Sequence, residues 1–110
     1  MSPDPFRLDG RVAFVTGAGG GLGEGICTSL AAAGTAVACA DIDPERAERI
    51  AAHVRAEGGR ALTFGLDVTE SGAVAEAVSS TTAEFGGIDV LVNNAAIYPC
   101  LLYTSDAADE

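Results

Sequence analysis

Residues 16–23 read TGAGGGLG, with glycine at five of eight positions between the apolar run VAFV and a helix-like stretch, EGICTSLAAAG. A strand that passes through a glycine-rich turn into a helix builds an anion site. The first helical N–H groups have no acceptor of their own and point outward, and the helix dipole adds partial positive charge. Glycine suits such a turn because a Cβ would keep a phosphate off the backbone, and because some turn positions need positive φ. Polar residues recur at the ends of later apolar runs: Asp41 after AVACA, Asp67 after ALTFGL and Asn93 after DVLV. All six bases are arginine and there is no lysine, which excludes the Gly-Lys-Ser/Thr of a Walker-type loop. A strict G-x-G-x-x-G is missing as well. The spacing present is Thr16-Gly17-x-x-x-Gly21-x-Gly23.

The elements that must position these residues follow from the apolar pattern. RVAFVTG reads as a first strand, continuous in apolar character as buried parallel strands are. Leu22, Ile26 and Leu30 recur at four-residue steps and predict a helix face that ends at Gly34. AVACAD is a second strand, and Pro44 suits the first turn of a second helix. In that helix Ala47, Ile50 and Val54 face inward, and Glu45 pairs with Arg49 outside. Gly58-Gly59 stops it, and ALTFGLDV is a third strand. A third helix runs from about Glu70, with Val74, Val78, Thr81 and Phe85 on one side, to Gly86-Gly87; DVLVNNA is a fourth strand. This β-α-β-α-β-α-β order predicts an α/β, doubly wound parallel sheet with helices on both faces and right-handed crossovers.

The glycine loop, with the acids and amides at the later strand ends, resembles the short-chain dehydrogenase/reductases, whose fingerprint is T-G-x-x-x-G-x-G. The resemblance covers about residues 6 to 99, including LDGRVAFVTG and GGIDVLVNNAA. It implies a Rossmann-like fold, here cut off after the fourth strand, and the cofactor-binding half of an oxidoreductase. Asp41 lies close to the ~20-residue offset at which an acid meets the adenosine ribose hydroxyls. In the family an Asp placed like Asp67 contacts the adenine edge, helped by the backbone of the next residue, Val68. Asn93-Asn94-Ala95-Ala96 stands where the family usually writes N-N-A-G, so Ala96 departs from the usual glycine. The implied cofactor-binding set is Gly17, Gly19, Gly21, Leu22, Gly23, Asp41, Ile42, Asp67, Val68, Asn93, Ala95 and Ala96. Three of these have a plainer alternative: Asp41 as a solvated loop acid, Asp67 as a turn or cap residue, Asn93 as an amide that ties sheet to loop.

Charge then separates the two nicotinamide cofactors. A carboxylate at Asp41 accepts bonds from both ribose hydroxyls but repels a 2′-phosphate. Relatives that prefer NADP place Arg or Lys in the glycine loop or just after the second strand. Here those positions are Gly19-Gly20 and Ile42-Asp43, and Arg46 is the one base near enough to reach back. Each unit-charge pair in a surface cleft is worth on the order of 1–4 kcal/mol. The expected cofactor is NAD(H).

Composition narrows the partners. At 110 residues and 48% hydrophobic content the chain is at most one small globular domain. A net charge of −10 disfavours nucleic acid and anionic membranes. The start, MSPDPFRLDGR, has no apolar signal core, and Ile26 to Ala40 is broken by Gly34, so a cytoplasmic location is expected. Cys27, Cys39 and Cys100 lack metal-ligand spacing, and the first two read as small core residues. His53 is expected to be exposed, with no role.

The family's chemistry needs a Ser, a Tyr-x-x-x-Lys pair and usually an Asn beyond N-N-A-G. Tyr98 follows the fourth strand too closely, and Tyr103 has Ala107 where a lysine would stand, so no catalytic residue is assigned. The tail CLLYTSDAADE back-translates without mismatch to a string resembling a transposase adapter used in sequencing libraries. Residues 1–99 are therefore expected to be the N-terminal half of a dinucleotide-binding domain and 100–110 a non-native tail. On this reading the chain is inactive by itself, and VLV is an open hydrophobic edge. Its longer parent is an NAD-dependent, homo-oligomeric enzyme acting on a small alcohol or ketone. The alternative parent is a non-catalytic nucleotide-binding sensor or scaffold of the same fold.

Overall fold

The computed structural model describes residues 7–94. Seven elements alternate along it: β1 (Val12–Thr16), α1 (Gly21–Ala32), β2 (Ala36–Asp41), α2 (Pro44–Ala56), β3 (Ala61–Gly65), α3 (Ser71–Phe85) and β4 (Val90–Asn93). The strands form one parallel sheet in the order β3-β2-β1-β4. β1 and β2 are central and buried at every position, which is why both are apolar without alternation. Register brings the strand ends level: Thr16 lies opposite Ala40 and Asn93, and Asp41 opposite Gly65.

The pleat divides the core between the two faces. Ala13, Val15, Val37 and Cys39 pack against Cys27 of α1 and against Ala47, Ile50 and Val54 of α2. Phe14, Ala38 and Ala40 turn the other way and meet Ala77 of α3, with Val74 and Val78 flanking it. Phe14 also stacks on Phe64, their ring centroids 6.0 Å apart. Full burial of Phe14, Val15 or Ile50 contributes about 1.5–3 kcal/mol each. The chain thus crosses from one face to the other between β3 and β4, which puts the topological switch point between the adjacent strands β1 and β4.

Local signals account for most of the boundaries. Pro44 opens α2, capped by Asp43, whose Oδ1 accepts from the Glu45 N–H at 3.0 Å. The helices stop at Gly34, Gly58 and Gly86, each at positive φ. The α2 face of Ala47, Ile50 and Val54 is buried as its spacing predicts. Its surface pairs are different: Arg46 joins Asp43 and Arg55 joins Glu48, instead of Glu45 with Arg49.

α1 departs from expectation at Leu22. Its buried residues are Gly23 and Cys27, and Leu22 is 62% exposed. The helix lies so close to the sheet that small residues occupy the contact line. Ile26 and Leu30 are half-buried and pack against the core from its edge, and with Leu22 they border an apolar groove beside Val90 and Val92. β4 forms the sheet edge next to that groove, with Leu91 67% exposed. Cys27 and Cys39 are free, buried thiols with sulfurs 3.9 Å apart. The contact with Cys39, then burial, pushes the Cys27 thiol up.

Candidate nucleotide-binding site

Each glycine of the loop has a distinct structural reason. Gly17 follows Thr16 directly and adopts φ 64°, a left-handed turn that costs most side chains energy. Gly23 lies beneath that turn, where a Cβ would overlap the Gly17 carbonyl and crowd the Ala18 Cα. Gly19 has α2 against it, so that a Cβ there would overlap the Arg46 Cβ. Gly21 has nothing within 4 Å of its Cβ position, and its backbone is open to approach. Gly20 caps α1 without a side-chain bond, so the first amides of the helix keep their donors for an outside acceptor.

The β1 turn is held from β4. The Thr16 hydroxyl lies 3.2 Å from Asn93 Oδ1 and 3.3 Å from the Val92 carbonyl. The Asn94 amide donates to the Gly17 carbonyl at 3.1 Å. At the other end of β4 the Asp89 N–H donates to the Val12 carbonyl, and Asp89 Oδ2 accepts from the Val12 N–H, both at 2.8 Å. This exchange fixes the register that brings Asn93 beside Thr16.

Asp41 is buried at the end of β2, only 8% exposed, and is not a solvated loop acid. Its Oδ2 accepts from the Gly19 N–H at 3.0 Å and its Oδ1 from the Asp43 N–H at 2.9 Å. Asp67 stands two residues beyond β3 and is half-buried. Its Oδ1 accepts from both the N–H and the hydroxyl of Thr69, at 2.9 and 2.7 Å. The hydroxyl first, then the amide, holds its carboxyl below the usual carboxylate range. Turn chemistry and a place in the site therefore coexist at this residue.

A recess of about 350 Å³ gathers Gly17, Asp41, Ile42, Asp67 and Val68, together with Ala40, Leu66 and Thr69. Ile42 is 73% exposed at its rim. Of the residues singled out in the sequence, Gly19 touches this group through Asp41, whereas Gly21 and Leu22 border the apolar groove on the other side of the loop. Ala95 and Ala96 lie outside the described residues. Arg46, the base closest to the loop, pairs its Nε with Asp43 Oδ2 at 3.5 Å. Among the described residues no helix is long and apolar enough to cross a membrane, and no His, Cys, Asp or Glu cluster suits a metal.

Residues 11–110 match the family model described as short chain dehydrogenase. The chain belongs to that family.

Two curated relatives show the extent of the likeness. D-threitol dehydrogenase of Mycolicibacterium smegmatis is 42% identical over 92 residues, which is 84% of this chain and 35% of that protein. Galactitol 2-dehydrogenase of Agrobacterium fabrum is 46% identical over 93 residues, again 84% and 35%. A solved 7α-hydroxysteroid dehydrogenase, complexed with NADH and 7-oxo glycochenodeoxycholic acid, superposes with a TM-score of 0.77 at 33% identity. That superposition covers 80% of this chain and 34% of the solved one. The chain thus spans about a third of the length of these relatives.

Two residues at the site are not assigned a place in it by the sequence. Asn94 stands beside the Asn93 that is. Thr69 has a visible signal, because Asp-x-Thr ahead of a helix is a common side-chain-to-backbone turn. Arg46, the base expected to be near enough to reach the loop, rests its Cβ against Gly19. That packing has no sequence signal, because the contact exists only after α2 folds back on the loop.

Proposed function

We propose that this chain forms the dinucleotide-binding portion of an NAD(H)-dependent oxidoreductase, whose full-length form moves hydride between nicotinamide and a small alcohol or ketone. Residues 1–99 are assigned to that portion. The observation that carries the reading is Asp41: a buried carboxylate at the end of β2, tied by one oxygen to the glycine loop. Each of its oxygens keeps a lone pair for a ribose hydroxyl, and its charge opposes a 2′-phosphate.

The residues present fit a dinucleotide. The open backbone at Gly21 and the uncapped start of α1 suit a pyrophosphate. Ile42 and Val68 give the neighbouring recess apolar walls for a base, and Asp67 gives it an acceptor. Asn93 and Asn94 hold the loop in place from β4. Bound there, the cofactor would supply the hydride acceptor or donor. The chain's own residues bind and orient it. Alcohol and ketone substrates are inferred from the sugar-alcohol and steroid dehydrogenases it resembles.

Fluorescence titration of the full-length chain with NADH and NADPH tests this reading. One unfavourable charge pair predicts NADH binding about tenfold tighter or more. Tighter NADPH binding overturns it.

A further inference from the structure

We propose that Thr69 is a positioning residue which fixes the Asp67 carboxylate so that the recess selects a 6-amino purine over a 6-oxo purine. The inference rests on the dinucleotide reading above and goes beyond it, by assigning base selectivity to a residue that lies behind the acceptor.

Thr69 places two donors on one oxygen. Its N–H and its hydroxyl both reach Asp67 Oδ1, at 2.9 and 2.7 Å. Oδ2 has no hydrogen-bond partner among the described residues. Two bonds to Oδ1 fix both side-chain torsions of Asp67, and with them the place of Oδ2. An ionised carboxylate only accepts. An adenine offers it an exocyclic N–H, whereas a hypoxanthine presents a carbonyl oxygen at the same ring position. Acceptor then faces acceptor, and a site built around an N–H rejects the analogue that lacks it.

Asp67 is only half-buried at the edge of the recess, so packing alone does not hold it. Without the Thr69 hydroxyl the carboxylate swings toward solvent. It then discriminates weakly between the two bases, although the apolar walls of Ile42 and Val68 still bind either one.

The test is a fluorescence titration of the full-length chain with NADH and with reduced nicotinamide hypoxanthine dinucleotide, alongside melting curves. The wild type should prefer NADH by about tenfold or more, the share expected of a bond to a charged acceptor. Thr69→Val should reduce that preference to about threefold or less at an unchanged melting temperature, and Thr69→Ser should restore it. Equal affinity of the wild type for both dinucleotides overturns the inference and leaves the dinucleotide reading standing. So does a Thr69→Val variant that keeps the full preference. If neither dinucleotide binds, the inference and the dinucleotide reading are both overturned.

Discussion

The Gly19 N–H donates to Asp41 Oδ2 across 3.0 Å, joining the loop after β1 to the end of β2. Arg46 secures the same joint from a third element, its Cβ lying where a side chain at position 19 would go. Loop, strand end and helix start are therefore one mechanical unit, and a change at any of them moves the others.

Asp41→Asn should raise the dissociation constant for NADH about tenfold or more, because it removes the charge from hydrogen bonds that a charged acceptor strengthens. Its NADH-over-NADPH preference should shrink at the same time. Adding Gly20→Arg should then favour NADPH, since a Cβ at Gly20 meets only the Gly17 carbonyl at an ordinary 3.6 Å. The same base at position 19 should instead destabilise the fold. Paired titrations and melting curves check both halves.

Two glycines of α1 should respond with opposite signs. Gly23→Ala forces a methyl into the Gly17 carbonyl and should cost about 1–3 kcal/mol. Gly25→Ala points into open space from a helical backbone and should gain about 0.5–1 kcal/mol. Urea unfolding of the two variants side by side measures the difference.

Asn94→Ala should destabilise the chain by about 1 kcal/mol, because it removes the donor to the Gly17 carbonyl. Amide hydrogen exchange in residues 17–20 should speed up more than exchange in α3. Uniform acceleration across the molecule would mean that Asn94 contributes only global stability.

Acid should loosen the β3 edge. Thr63, then Arg55, hold the Glu48 carboxyl below its usual 4.5. A group whose pKa is depressed by folding contributes stability above its unfolded value and loses it as the pH falls through the folded one. The contribution from Glu48 is therefore complete above about pH 5 and fades in the acid range below its usual value. Thr63→Val removes the larger cause, so NMR titration should find the Glu48 carboxyl moved up toward its usual value.

The fold was readable because its central strands admit no ambiguity. VAFV and AVACA are too apolar for a surface, and glycine marks each helix end. On α1 the four-residue spacing finds Ile26 and Leu30, which pack against the core, but also points to the exposed Leu22 and misses the small Gly23 and Cys27 that close helix-to-sheet packing selects. Asp41 and Asp67 were legible as strand-end acids. The loop partner of Asp41 was not, because Gly19 is 22 residues away and only the parallel register of β1 on β2 brings the two together. Asn93 and Asn94 look alike in sequence, yet Asn93 lies beside the Thr16 hydroxyl and Asn94 donates to the turn.

A crystal structure of the full-length chain grown with NADH tests the central claim most directly. The pyrophosphate should lie over the open backbone at Gly21, with ribose hydroxyls within hydrogen-bonding distance of Asp41 and the adenine in the recess between Ile42 and Val68. A dinucleotide bound elsewhere, or a ribose that makes no contact with Asp41, would contradict it.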